Sequence, residues 1–93
     1  MAALRVSLSG KLRRLAGVGE LALEVPAPIS AEEFLQLLAR DRGHAWRQVL
    51  LGEGEAPRES IVVLRNGRPI TDRAAPALED GDQVAVLLPV AGG

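Results

Sequence analysis

The residues best suited to chemistry in this sequence are the last three, Ala91-Gly92-Gly93, which follow a strongly apolar run over residues 84–90. At the end of the sequence, we expect this glycine pair to serve neither a hairpin turn nor a helix cap. Glycine lacks a Cβ atom, and such a tail is thin and pliable. It could enter a narrow opening and deliver the α-carboxylate of Gly93 to another protein's active site. The alternative is an end that frays without any function, as chain termini commonly do.

Other candidate groups for chemistry are few. Asp80-Gly81-Asp82 brings two carboxylates together, but this sequence is foremost a tight turn. The chain has no cysteine, which excludes disulfides, thiolate metal sites and a thiol nucleophile. The single histidine, His44, has no second histidine at ligand spacing, so we expect no metal site. The sequence therefore predicts neither a metal site nor thiol chemistry.

Length, charge and composition narrow the class of protein further. The chain has 93 residues, enough for one domain, and a net charge of −1 with its basic residues spread along the sequence. This distribution, with only 2% aromatic residues, argues against a nucleic-acid partner. No run approaches the ~20 apolar residues that span a bilayer, and the N-terminus lacks the pattern of a signal peptide. We expect a cytoplasmic protein without a membrane partner.

The first half of the chain predicts a hairpin and a helix. Apolar residues alternate with polar ones over residues 4–8 and 21–25, which is typical of half-buried strands. Residues 11–16 between these strands are either a long loop or one helical turn.

The helix begins at a capping box formed by Ser30 and Glu33. Its predicted apolar face comprises Ala31, Phe34, Leu35 and Leu38. We expect about three turns, with Gly43 as the residue that terminates the helix. Residues 45–51 predict a short helical turn that covers one end of the core.

The second half of the chain predicts the remaining strands. Residues 61–65 are a β-branched run, and Asn66-Gly67 directly after it is a strong signal for a type I′ hairpin turn. Pro69 restricts the return strand to an edge or makes it very short. Residues 71–78 read as a connection. Residues 83–88 are almost continuously apolar, as expected of a central strand.

The order strand, strand, helix, strand, short strand, strand favours an α+β fold. We predict a ubiquitin-like β-grasp architecture, with a mixed sheet of about five strands and one main helix on one face. The first and last strands would lie side by side in its centre. Residues 1–88 would form this domain, and residues 89–93 a flexible C-terminal Gly-Gly tail.

Three segments resemble the MoaD/ThiS family of sulfur-carrier proteins, and the resemblance covers nearly the whole chain. The first is Leu12-Arg13-Arg14-Leu15-Ala16-Gly17, similar to an arginine-containing loop of the family, and the second is the Asn66-Gly67 hairpin. The most specific is the ending from Leu78 to Gly93: an acidic-glycine turn, an apolar strand, a proline and a terminal Gly-Gly. By length and by its long first loop, the chain is most similar to the MoaD-type small subunit of molybdopterin synthase.

The resemblance implies a carrier that is not an enzyme and binds no cofactor of its own, because the partners supply the catalytic groups. A partner resembling the ubiquitin-activating adenylyltransferases would use ATP and magnesium to adenylate the carboxylate of Gly93, next to Gly92. A sulfur donor would then convert the adenylate into a thiocarboxylate. A sulfur-accepting enzyme, such as the large subunit of molybdopterin synthase, would receive the sulfur. An α-carboxyl is ionised at neutral pH, as the attack on ATP requires.

Recognition by such partners needs a surface, and we predict it on the sheet face opposite the helix. If Ile61 and Val63 point inward, Val62 and Leu64 point outward, because side chains alternate along a strand. The predicted partner-binding residues are Val62, Leu64, Pro69, Leu87 and Arg13, together with Pro89, Val90 and Ala91 of the tail. Arg65 would lie at the rim. The alternative is a register shifted by one residue, which would put some of these side chains in the core.

Several functions remain open at this point. The sulfur could serve molybdopterin, thiamin or cysteine synthesis or the thiolation of tRNA. A ubiquitin-like protein modifier would instead join Gly93 to a lysine of a target protein. A non-covalent β-grasp adaptor, in which the tail has no function, is the third class.

Overall fold

The computed structural model describes residues 1–40 and 42–88. The main sheet is built from strands β1 (Ala2–Leu8), β2 (Glu20–Val25), β4 (Val62–Arg65), β5 (Arg68–Pro69) and β7 (Gln83–Leu87). Two further strands, β3 (Ile29–Ser30) and β6 (Pro76–Leu78), pair separately. The helices are α1 (Gly10–Ala16), α2 (Ala31–Arg40) and α3 (His44–Leu50), with a 3₁₀ turn at Glu53–Glu55.

The main sheet has the order β2-β1-β7-β4-β5. β1 and β7 are parallel neighbours, with Val6 opposite Val84 and Leu8 opposite Val86, and the other pairs are antiparallel. The prediction that the first and last strands lie side by side is confirmed, as is the ubiquitin-like β-grasp fold.

The local signals for α2 and for the hairpin are realised as predicted. The Ser30 hydroxyl accepts a hydrogen bond from the Glu33 amide at 3.1 Å, and the Glu33 carboxylate accepts one from the Ser30 amide at 3.3 Å. At the β4–β5 turn, Asn66 has φ +48° and Gly67 has φ +86°, the left-handed conformations that a type I′ turn requires.

The core lies between one face of the sheet and helices α1, α2 and α3. Phe34, Leu35 and Leu38 of α2 are completely buried, as predicted. Leu12 of α1 and Trp46 of α3 are buried as well, so the two short helices also contribute to the core. The segment at residues 11–16, for which a loop and a helical turn were both open, is a seven-residue helix together with Gly10.

Two expectations about connections were wrong. α2 ends at Arg40 rather than at Gly43, and Gly43 instead precedes α3, with φ +107° at its N-cap. The glycine therefore serves the start of the next helix. Residues 71–78 are not a plain connection either, because β6 pairs antiparallel with β3. This pairing joins Ile29 to Leu78 across a long stretch of sequence, and no local pattern indicates it.

Candidate functional site

The strand that carries the C-terminal segment is the central strand of the sheet. β7 is hydrogen-bonded to β1 on one side and to β4 on the other, and Leu88 is the last residue that the structure describes at this end. The predicted catalytic residues Gly92 and Gly93, like the predicted partner-binding residues Pro89, Val90 and Ala91, lie outside the described residues. Their roles stay predictions.

The point where the chain leaves β7 is held by the end of β1 and the start of α1. The hydroxyl of Ser9 donates a hydrogen bond to the carbonyl oxygen of Val86 at 3.0 Å. Gly10 follows with φ +55°, and a Cβ atom built on it would lie 3.8 Å from Cδ1 of Leu88. Leu88 itself is partly buried against the core. Leu88, the residue before the predicted tail, is therefore held against the folded domain. We call it the root of the tail.

The outer face of the sheet carries apolar side chains beside this root. Val62 lies opposite Leu87, and Leu64 lies between Ala85 on β7 and Pro69 on β5. Val62 is 42% exposed and Leu87 40%, while Val63 between Val62 and Leu64 is buried. The register therefore agrees with the prediction and not with the alternative shifted by one residue. We call Val62, Leu64, Pro69 and Leu87 the outer patch.

The two predicted basic rim residues differ in their surroundings. Arg13 is exposed on helix α1, and its guanidinium packs beside Gly19. Because Arg13 is not on a strand, the strand pairing that brings the outer patch together does not include it. Arg65 is at the end of β4 and is engaged by carboxylates: its Nε lies 2.8 Å from Oδ2 of Asp82, and a terminal nitrogen lies 3.4 Å from Glu79. The Nε contact is a charge contact without the alignment of a hydrogen bond, but a terminal nitrogen of Arg65 donates a hydrogen bond to Oδ1 of Asp82 at 3.5 Å.

Asp82 is a buried structural carboxylate. It accepts hydrogen bonds from the amide of Glu79 at 2.8 Å and from the side-chain amide of Asn66 at 3.1 Å. Burial by itself would raise the pKa of Asp82, but these two donors and the charge of Arg65 outweigh burial and hold its pKa below the usual value. The carboxylate thus stays ionised and ties the hairpin turn to the start of β7.

The neighbouring Asp80 is also used structurally. Its carboxylate accepts a hydrogen bond from the amide of Ala3 at 2.8 Å, which ties the turn before β7 to the start of β1. The carboxylates of the Asp-Gly-Asp turn therefore tie the start of β7 to β1, through Asp80, and to the β4–β5 turn, through Asp82. Within residues 1–40 and 42–88, no group of three histidine, aspartate or glutamate side chains is arranged to hold a metal ion.

Sequence reasoning missed three positioning residues. Asn66 was predicted only as a turn residue, but its side chain also accepts a hydrogen bond from the amide of Gln83 at 2.9 Å. Ser9 holds the exit of β7, as described above. The guanidinium of Arg73 donates to the carbonyl oxygens of Arg58 and Ile61 at 2.9 and 3.1 Å and thereby orders the approach to β4. These contacts join distant parts of the chain, so no sequence spacing signals them.

Comparison with known proteins agrees with this geometry. The chain matches the family model described as the ThiS family over residues 6–93. Small archaeal modifier protein 3 of Haloferax volcanii is 48% identical over 46 residues, which are 47% of this chain and 49% of that protein. The match thus spans about half the length of this relative.

Solved structures resemble the whole fold. Small archaeal modifier protein 1 of Methanosarcina acetivorans has a TM-score of 0.78 and 31% identity, with 100% of this chain and 98% of that chain covered. A Pyrococcus furiosus protein described as a molybdopterin converting factor, subunit 1, has a TM-score of 0.71 and 27% identity, with coverage of 97% and 100%.

Fold and relatives together define a class, that of small ubiquitin-like β-grasp proteins of the sulfur-carrier and modifier type. Within this class the chain belongs to the ThiS family, as the resemblance of its three sequence segments implied. In the part of the chain that the structure describes, no helix is long and apolar enough to cross a membrane.

Proposed function

We propose that this protein is a sulfur carrier whose C-terminal glycine is activated by a partner enzyme. The single observation that carries the proposal is that the family match extends to residue 93 and so includes the Gly-Gly ending. In the proposed reaction the carboxylate of Gly93 attacks the α-phosphate of ATP, bound with magnesium to an adenylyltransferase, and pyrophosphate leaves. A sulfur donor then displaces AMP, and a thiocarboxylate remains on Gly93.

The described residues support a reaction in which this protein supplies the carboxylate and its partner supplies the catalytic groups. Asp80 and Asp82, the paired carboxylates that the sequence offered as candidates, are engaged in holding strands. The protein would contribute a carboxylate on a fixed root, and the partner would contribute positioning, which can be worth several orders of magnitude in rate. The outer patch, adjacent to the tail on β7, is the proposed docking surface for the adenylyltransferase, because exposed apolar groups of this kind mark interaction sites.

We propose molybdopterin synthesis as the pathway, with the large subunit of molybdopterin synthase as sulfur acceptor. The likeness to the Pyrococcus furiosus protein described as a molybdopterin converting factor supports this choice. A second candidate function is protein modification, in which Gly93 forms an isopeptide bond with a lysine of a target. The likeness to two archaeal proteins named as modifiers favours it.

Intact-mass measurement tests the carrier function. With ATP, magnesium, the adenylyltransferase and a sulfur donor, the protein should gain the mass that replaces one oxygen by sulfur, at Gly93. Deleting Gly93 shortens the reach by about 3.3–3.6 Å, and adding one residue makes the tail overshoot. Both variants should lose the product while their unfolding free energy stays within about 0.5 kcal/mol of the parent. A deletion variant that carries sulfur at the normal rate would overturn the proposal.

Peptide mapping separates the two candidate functions. Trypsin cleaves after Arg73, so a modified target would carry residues 74–93 on one of its lysines. The thiocarboxylate without such conjugates supports the carrier, and conjugates that form without a sulfur acceptor support the modifier.

A further inference from the structure

The chain has a single lysine among its eleven basic residues, and its position is unusual. All ten others are arginines. An arginine guanidinium stays protonated and is therefore not a nucleophile, whereas a lysine amine can be acylated. Lys11 is thus the only side-chain amine on which an activated carboxyl group of this protein could form an amide bond within its own chain.

Lys11 lies at the end of the molecule from which the tail leaves. It is the second residue of α1 and follows Gly10, on which a Cβ atom would lie 3.8 Å from Cδ1 of Leu88. With standard bond lengths, the Cα atoms of Lys11 and Leu88 are at most about 13 Å apart. The five residues from Pro89 to Gly93 span up to about 17 Å when extended. The amine is therefore within reach of the tail of its own molecule.

The amine of Lys11 is also accessible. Lys11 is exposed, and the ion pairs formed among the described residues involve only the arginines Arg5, Arg47 and Arg65. No described carboxylate holds the ammonium group in an ion pair.

The N-terminal amine provides a contrast within the same chain. Met1 is 86% exposed, so it is equally open to an external reagent. β1 is parallel to β7, and Leu8 lies opposite Val86. Along the strand direction, Met1 and Leu88 are therefore separated by the length of about nine strand residues, which is about 30 Å. The tail cannot span this distance. Reaction within one molecule would therefore select Lys11, whereas reaction between molecules would use both amines.

We propose that Lys11 is a self-acylation site: the activated glycine of the tail forms an isopeptide bond with Lys11 of the same molecule. The proposal rests on the proposed function, which supplies the activated carboxyl group. The lone pair of the deprotonated amine attacks the carbonyl carbon of Gly93, and a C–N bond forms. The C–O bond to the phosphate breaks, AMP leaves with the electron pair, and the amine loses a proton to water.

The short tether makes this reaction competitive. Two groups joined by a short flexible linker have an effective concentration for each other on the order of millimolar, even when the protein itself is dilute. The ring closed by the isopeptide bond consumes the carboxylate that carries sulfur. Lys11 thus competes with the sulfur donor, and with any acceptor amine, for the activated tail.

The test uses a chemically activated tail, so that it does not depend on the adenylyltransferase. The protein is made with a thioester of mercaptoethanesulfonate at Gly93 by intein cleavage and is then incubated at mildly alkaline pH. The parent should yield a monomeric product lighter than the hydrolysed protein by one water, at a rate constant that does not change on dilution. Lys11→Arg, which keeps the charge and removes the amine, should lose this product and show hydrolysis only.

Peptide mapping locates the bond. Trypsin does not cleave after an acylated lysine, so the expected product joins residues 6–13 to residues 74–93. A bond from residues 74–93 to residues 1–5, covalent dimers that increase with concentration, or a parent that only hydrolyses would each overturn the proposal. Hydroxylamine should convert the thioesters of parent and variant equally, which shows that both tails are reactive.

A parallel reaction with ATP, magnesium and the adenylyltransferase distinguishes the two proposals. If the thioester forms the ring but the adenylyltransferase does not adenylate the protein, only the proposed function is contradicted. If the protein is adenylated, as shown by trapping the adenylate as the hydroxamate, but the thioester forms no ring, only the role of Lys11 is contradicted.

Discussion

The two faces of the sheet share their strands but differ in what covers them. Val63 and Val62 are neighbours in β4, yet Val63 is 1% exposed beneath the helices and Val62 is 42% exposed on the opposite face. Identical side chains therefore serve different purposes. The inner one contributes to stability through burial, whereas the outer one adds little stability and is available to a partner.

The outer face itself is divided in the same way. On its β1–β2 half, Arg5 and Glu20 form an exposed ion pair, and Ser7 and Ala22 are exposed beside them. On its β4–β7 half, the side chains are those of the outer patch. The large apolar side chains exposed on this face, Val62 and Leu87, thus lie on the half that contains β7, and this half is the proposed docking surface.

The largest effect is expected for Phe34 of α2, the largest fully buried side chain among the described residues. Phe34 is completely buried, so Phe34→Ala should lower the free energy of unfolding by about 3–5 kcal/mol. Chemical denaturation measures this loss. A change below about 1 kcal/mol would contradict the assignment of Phe34 to the centre of the core.

The valine pair tests the comparison most directly. Val63→Ala removes two buried carbon groups, at about 0.8 kcal/mol each, and leaves a cavity, so we expect a loss of about 2 kcal/mol. Val62→Ala should change stability by no more than about 0.5 kcal/mol. Denaturation of both variants under one condition gives the difference, and equal losses would refute the contrast between the faces.

The Asp82 contacts join the β4–β5 turn to the start of β7, a strand that both faces share, and they predict a pH dependence. The depressed pKa of Asp82 means that its stabilisation is present above the pKa of the unfolded chain, near 3.8, and is lost as pH falls through the folded value. Asp82→Asn should cost about 1–2 kcal/mol at neutral pH. The difference in the free energy of unfolding between parent and variant should become smaller below about pH 4. Urea titrations from neutral to acid pH measure it, and a gap independent of pH would contradict the role of the charge.

The smallest change in stability, with a clear change in binding, is expected on the outer patch. Leu87→Glu should stay within about 0.5 kcal/mol of the parent in stability, since Leu87 is 40% exposed. It should nevertheless weaken binding to the adenylyltransferase, measured by calorimetry. Ala22→Glu, a matched change on the other half of the outer face, should leave binding unchanged. If both variants bind equally well, the outer patch is not the docking surface.

Local sequence signals predict much of the fold. The capping box of Ser30 and Glu33, the turn at Asn66-Gly67 and the alternation along β1 and β2 all act over a few residues, so their outcome could be predicted. The register of β4 was left open by its sequence, because residues 61–64 are all apolar and either alternating face could have been buried. The outer patch was predicted on one of the two registers, and the strand pairing and burial in the folded protein decided between them.

Other features were decided only by tertiary structure. The pairing of β3 with β6 and the position of Gly10 beside Leu88 each depend on parts of the chain that meet only after folding. The sequence alone determined that the chain has one lysine and a glycine pair at its end. That Lys11 and the root of the tail share one end of the molecule was decided by the parallel pairing of β1 with β7, since this pairing makes both strands end on the same side of the sheet.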